Sequence, residues 1–289
     1  MQKSNPKKLI RKPQEQPRPG EEYKMNPLPV FDRLGNTGSG KLANKIAVIT
    51  GGDSGIGKAV AILFAKEGAD IAIIYLNEDK DAEDTQKIIK EKYQRNCILF
   101  ATDVGKEKSC NNAISKIIKA YGRIDILVNN AAIHFESKSL EEITASQLLR
   151  TFETNIFSMF WMAKDALPFM KEGSVIINST SVTAYRGSSE LVDYAATKGA
   201  IVSFTRSLAQ NLIDKGIIVN AVAPGPIWTP LIVSGFPPEK VVKHRREVPM
   251  KRAGAPVEVA PSYLFLACED SSYITGQVLH PNGGEIING

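Results

Sequence analysis

The chain predicts an α/β fold: a doubly wound parallel sheet of about seven strands, one domain, with helices on both faces. Three observations carry this. Short apolar runs alternate with helix-length segments from Lys45 to about Leu279. The runs are apolar at nearly every position, which marks strands covered on both faces, as in a parallel sheet. The first run ends in a glycine-rich loop that opens a helix, the point where such sheets bind nucleotides.

The elements follow in order. Residues 1–43 form an N-terminal extension. Pro6, Pro13, Pro17, Pro19, Pro27 and Pro29 forbid a regular helix or central strand there, so it is expected to be extended or partly disordered. Its apolar cluster (Met25, Leu28, Val30, Phe31, Leu34) offers a second possibility, docking in a groove of its own body or of a neighbouring subunit. The folded domain spans 44–289. Ile46–Ile49 is the first strand, and residues 58–67 belong to the helix after the glycine loop. Ile71–Tyr75 is the second strand, followed by a charged helix over about 78–93. Cys97–Ala101, Ile124–Val128, Ser174–Asn178 and Ile217–Val222 supply strands three to six, and 273–279 the last. One helix is expected across 144–170 and another across 192–215.

Two stretches carry chemistry. Gly51–Gly57 sits between the first strand and its helix. Glycine lets the backbone approach a pyrophosphate, and the helix N-terminus offers unpaired N–H groups to the anion. Tyr194 and Lys198 are four apart in a helical stretch and so share a face. A free phenol titrates near ~10, too high for a base at neutral pH. A lysine cation nearby favours the phenolate, and the pair can then move a proton to or from an alcohol.

Composition excludes other classes. Hydrophobic content of 43% and charged content of 23% are ordinary for a globular protein. Cys97, Cys110 and Cys268 are odd in number without CxxC spacing, which argues against a disulfide framework and fits a reducing, cytoplasmic setting. His134, His244 and His280 are scattered, so no metal site is expected. No apolar run approaches a membrane span. The net charge of +5 is a property of the extension: residues 1–45 hold ten Lys/Arg against four Asp/Glu. The near-neutral body gives no reason to expect nucleic acid or a membrane as partner.

The ordered motifs resemble the short-chain dehydrogenase/reductase family over about 44–285. Thr50-Gly51-x3-Gly55-Ile56-Gly57 resembles its cofactor loop, with Asp53 and Ser54 inside it. Asp103-Val104 resembles its adenine-contacting pair, and Asn129-Asn130-Ala131-Ala132 its Asn-Asn-Ala-Gly motif with alanine last. Pro224-Gly225-Pro226-Ile227-Trp228-Thr229 resembles its turn beside the nicotinamide. Asn155, Ser181, Tyr194 and Lys198 fall where the family has its catalytic tetrad. The extension further resembles a bacterial glucose/ribitol dehydrogenase-like subgroup.

The resemblance implies an NAD(P)-dependent oxidoreductase moving a hydride between nicotinamide and a small alcohol, sugar or polyol. Tyr194 would be acid and base, with Lys198 lowering the phenol pKa and gripping the nicotinamide ribose. Ser181 would orient the substrate oxygen. Asn155 would interrupt its helix and hold a water leading to Lys198. It also implies a homotetramer. Substrate choice is expected in 227–251, read as a lid with a basic run Lys243–Arg246, and in walls at 134–138 and 183–190, where Arg186 and Glu190 offer polar groups. At the end of the second strand stand Tyr75, Leu76 and Asn77, with no cation to neutralise a 2′-phosphate. NAD is therefore the expected cofactor and NADP the alternative. The rival function is a catalytically silent dinucleotide-binding regulatory protein; membrane or nucleic-acid binding through the basic extension is a third.

Overall fold

A computed structural model describes residues 13–286 apart from 34, 36 and 244–247. Seven strands form one parallel sheet in the order β3-β2-β1-β4-β5-β6-β7: β1 Ile46–Thr50, β2 Asp70–Tyr75, β3 Cys97–Ala101, β4 Ile126–Asn129, β5 Val175–Ser179, β6 Ile218–Val222 and β7 Val278–Leu279. The order reverses between β1 and β4. Crossovers leave in opposite directions there, and a crevice opens beyond the strand ends.

Among the described residues ten helices accompany the strands. In chain order they are α1 Gly55–Lys66, α2 Asp79–Tyr93, α3 Glu107–Tyr121, α4 Ala145–Phe152, α5 Ser158–Ala166, α6 Thr183–Arg186, α7 Val192–Leu212, α8 Pro230–Gly235, α9 Pro238–Lys243 and α10 Pro256–Ala267. The side-chain period of a strand decides which face each helix covers. Ala47, Ile49, Ile71, Ile73 and Ile177 point into one core with Val60, Phe64, Ile89 and Leu266 of α1, α2 and α10. Their neighbours Val48, Ala72, Ile74 and Ile176 point into a second core with Ile114, Met159, Met162, Ile201 and Phe204 of α3, α5 and α7. Both faces are buried, which is why the strands read as unbroken apolar runs.

Three elements differ from expectation. The helix expected across 144–170 is broken: a π-helical turn, Glu153–Phe157, separates α4 from α5. The last strand is only Val278–Leu279, because Thr275 and Gly276 turn to bond Val219 across the edge of β6. The regular α-helix of the Tyr194 segment ends at Leu212, and Ile213–Lys215 tightens into a 3-10 turn before Gly216.

The described part of the extension lies on its own chain. Met25 is buried in a third apolar cluster with Trp228, Ile232, Val233 and Phe236. The Trp228 indole N–H donates to the Pro27 carbonyl at 2.8 Å, and Val257 N–H to Val30 at 3.0 Å. Leu28 and Val30 themselves are exposed. Leu34 and residues 244–246 of the basic run lie outside the described residues.

Candidate functional site

The crevice is built from strand ends. Thr50, the last residue of β1, accepts on Oγ1 from the main-chain N–H groups of Asn130 (2.9 Å) and Ala131 (3.0 Å) just past β4. The Asn130 amide donates back to the carbonyls of Thr50 and Gly51 at 3.1 and 3.2 Å. These bonds hold the glycine loop against the neighbouring strand. Gly57 shows why the loop needs glycine: a Cβ there would lie 1.9 Å from the Gly51 carbonyl oxygen. No side chain fits between loop and helix.

The crevice has two adjoining parts that share wall residues. The first, about 170 Å³, is walled by Gly51, Asp53, Ser54, Gly55, Ile56, Tyr75, Leu76, Asp103, Val104 and Ala131. The second, about 440 Å³, is walled by Ser181, Tyr194, Lys198, Pro224, Gly225 and Ile227. Ile56, Asn130, Ala132 and Thr229 border both. All the site residues read from the sequence therefore line one crevice, except Gly57 and Asn155, which lie behind it.

Asn155 is fully buried in the π turn. Its side-chain amide matches the main chain of Ile133 twice, accepting from the N–H at 2.8 Å and donating to the C=O at 2.9 Å. It also donates to Thr197 Oγ1 at 3.2 Å. An amide is the side chain that supplies donor and acceptor together. The π turn adds a residue to the helix at a functional position, as such turns commonly do. Thr197, one residue before Lys198, is a link that no sequence motif marks.

Tyr194 and Lys198 project from one face of α7. Lys198 Nζ lies 5.2 Å from the centroid of the Tyr194 ring and donates to the Ser179 carbonyl at 2.9 Å. Among the described residues no carboxylate pairs with it. Burial pushes its ammonium down to about 7 from the ordinary lysine value. The low-dielectric setting thus disfavours the cation that the sequence alone would treat as permanent. The start of α7 is held by Asp193, buried, whose Oδ2 accepts from Thr151 (2.9 Å) and Gln147 (3.1 Å) of α4. Ser181 Oγ accepts from Thr183 N–H at 3.2 Å, which orients it at the start of α6.

Over the larger part lie α8 and α9. Lys240 of α9 pairs with Glu136 and Glu190, one on each wall. Arg186 pairs with Glu285 at 2.8 Å. The polar groups that the sequence offers on this wall at 186 and 190 are thus engaged in ion pairs. The His134 ring packs edge-on to Tyr194 with centroids 5.6 Å apart and against Phe236 at 4.8 Å.

The smaller part is acidic. Burial, then the neighbouring Glu78, push the Asp53 carboxyl up to about 7. Burial also raises Glu78. Among the described residues the one basic side chain on its wall, Arg150, is occupied by both oxygens of Asp103 at 3.1 and 3.0 Å.

Residues 51–285 match the family model described as enoyl-(acyl carrier protein) reductase. The chain belongs to the short-chain dehydrogenase/reductase family. It is 54% identical over 276 residues to NADPH-dependent aldehyde reductase 1 of Arabidopsis thaliana, covering 93% of this chain and 96% of that one. It is 50% identical to glucose and ribitol dehydrogenase of Daucus carota, covering 94% and 95%. The 3-ketoacyl-(acyl-carrier-protein) reductase of Brucella melitensis, complexed with NADH, superposes with a TM-score of 0.77 at 32% identity, covering 84% and 98%. As a member of this family the chain is an NAD(P)-dependent oxidoreductase acting on a carbinol or carbonyl carbon. Among the described residues, no helix is long and apolar enough to cross a membrane.

Proposed function

We propose that the crevice interconverts the alcohol and carbonyl forms of a small sugar, polyol or aldehyde, with Asn155, Ser181, Tyr194 and Lys198 as its working residues. The observation that carries this is the shared wall. Tyr194, Lys198 and Ser181 line one cavity, whose wall shares Ile56, Asn130, Ala132 and Thr229 with the cavity at the glycine loop. The glycines of the Gly51–Gly57 loop and the N–H groups of α1 beyond Gly55, whose own N–H is taken by Glu22, fit a diphosphate. The bound nicotinamide would supply the hydride acceptor or donor.

The residues of the chain do the rest. Tyr194 Oη takes the hydroxyl proton in oxidation and returns it in reduction. The Lys198 cation favours the phenolate. Ser181 Oγ orients the substrate oxygen. Asn155 fixes Ile133 and Thr197, and through them the floor under the Tyr194–Lys198 face. The α8–α9 cover excludes water once substrate is in place.

NAD is the proposed cofactor. Asp53 and Glu78 put two acidic groups on the wall, no free cation stands there among the described residues, and Arg150 is already paired with Asp103. A relative named NADPH-dependent makes the comparison with NADP part of the test. A homotetramer is proposed from the exposed apolar residues Leu148, Leu149, Phe157 and Phe160 along α4–α5. The three free thiols support a reducing, cytoplasmic setting.

The experiment follows reduced-nicotinamide absorbance with NAD and NADP over sugars, polyols and aldehydes, with Tyr194→Phe beside the wild type. Turnover abolished in the variant, with dinucleotide affinity retained, is the expected result. Equal turnover in Tyr194→Phe would overturn the assignment.

A further inference from the structure

The extension reaches into the site. Pro19 and Gly20 stand in the wall of the smaller part of the crevice, together with Ser54, Gly55 and Glu78. Two residues on, Glu22 is buried against the start of α1. Its Oε2 accepts from Gly55 N–H at 2.7 Å, and its Oε1 pairs with Lys58 Nζ at 2.7 Å, both side chains almost wholly enclosed. The main-chain N–H groups of Glu22 and Tyr23 donate to the two oxygens of Asp81 on α2 at 2.5 and 3.1 Å. On its other flank the segment bonds the cover: Gln16 N–H to the Val233 carbonyl, and Ser234 Oγ to the Pro19 carbonyl, each at 2.9 Å. Arg18 Nε donates to the His134 carbonyl at 3.1 Å.

We propose that this segment is a built-in wall of the dinucleotide site: Pro19–Gly20 contacts the bound cofactor, and Glu22 is the positioning residue that ties the wall to the glycine loop. This rests on the dinucleotide reading of the crevice. A tail that only covered apolar surface would need Met25 in its pocket and nothing at the loop. Here a buried ion pair, costly to desolvate unless its geometry is met, is spent on the residue that begins α1. Gly20 sits at φ +90, and a Cβ there would lie 2.9 Å from the Pro230 carbonyl oxygen and 3.0 Å from Ser234 Cβ. The wall and the first residue of α8 are therefore in main-chain contact, so a cofactor that touches one is sensed by the other.

Hydrogen exchange on the full chain, with and without saturating NAD, NADH, NADP or NADPH, tests this directly. The expected result is slowed exchange in residues 20–25 together with residues 51–58. Protection of 51–58 with 20–25 unchanged overturns the wall and leaves the oxidoreductase assignment standing. Protection of neither overturns both. Gly20→Ala is expected to raise the dinucleotide KM about tenfold with kcat at saturating cofactor little changed. The paired variant Glu22→Leu/Lys58→Met removes the ion pair without leaving a buried charge and is expected to fold and to show the same split. A lowered melting temperature with an unchanged dinucleotide KM in both variants would reduce the segment to a structural tail.

Discussion

Lys198 Nζ is fixed by the Ser179 carbonyl at 2.9 Å and stands 5.2 Å from the Tyr194 ring centroid. The lysine is thus placed by main chain at the end of β5, without a compensating carboxylate among the described residues. Its charge costs the fold stability and serves the site.

That cost has a sign. The folded value, about 7, lies below the ordinary value of 10.5. Between these the unfolded chain binds one proton more, so stability rises with pH across the window. Lys198→Met is expected to be inactive yet more stable than wild type by a few kcal/mol near pH 7, since one pKa unit is ~1.4 kcal/mol. The gap should be fullest below pH 7 and shrink toward pH 10. Urea midpoints of both proteins across this range check it; a gap that widens with pH would contradict it.

Asn155→Ala strips the side-chain partner from both the N–H and C=O of Ile133 in a partly buried setting. Each group left unsatisfied costs about 1–3 kcal/mol. Asn155→Asp should do little better, because a carboxylate cannot donate to the Ile133 carbonyl. Denaturation midpoints and turnover should fall together in both variants. A stable, inactive Asn155→Ala would instead give Asn155 a direct role in the chemistry.

The Lys240 pairs with Glu136 and Glu190 bridge the walls beneath α9 and are half exposed. Such pairs are worth under about 1 kcal/mol each and are weakened by salt. Lys240→Ala should raise the substrate KM about two- to threefold, within that energy. The wild-type KM should climb with ionic strength while that of the variant stays flat. Parallel salt curves for the two proteins would remove the latch.

Asp53→Asn removes from the wall that the cofactor ribose would face a buried carboxyl held up to about 7, whose charge is complete only above that pH. Well above that pH the ratio of NADP to NAD specificity should move toward NADP by about tenfold, and below it by less. Competition binding of the two oxidised cofactors measures it without turnover. An unchanged ratio would place the 2′ position elsewhere.

Gly57→Ala puts a Cβ 1.9 Å from the Gly51 carbonyl. The loop must shift, and dinucleotide affinity should fall by at least about 100-fold, with a stability loss of about 1–3 kcal/mol from overpacking. Titration of intrinsic fluorescence with NADH reads the affinity.

Much of this molecule is written locally. Strands buried on both faces need apolar residues at every position, so β1 to β6 are visible as runs such as Ile71–Tyr75, and the sheet class follows. The Gly51–Gly57 loop and the Tyr194–Lys198 spacing are short-range patterns, and their order along the chain identifies the family. β7 and the π turn are less legible. Val278–Leu279 is too short to carry a period, and the π turn depends on Ile133, distant in sequence, meeting the Asn155 amide.

The fold class, the position of the glycine loop and the shared face of Tyr194 and Lys198 are legible along the chain. The burial that pushes the Lys198 ammonium down, the ion pairs of Arg186 and Glu190 and the burial of Glu22 at Gly55 arise only in the folded chain. The reason is physical. Periodicity and spacing report which face a residue takes within its own element. Desolvation, ion pairing and main-chain capture depend on what a distant part of the chain brings to that face, and an extension rich in proline carries no local sign of the groove that receives it.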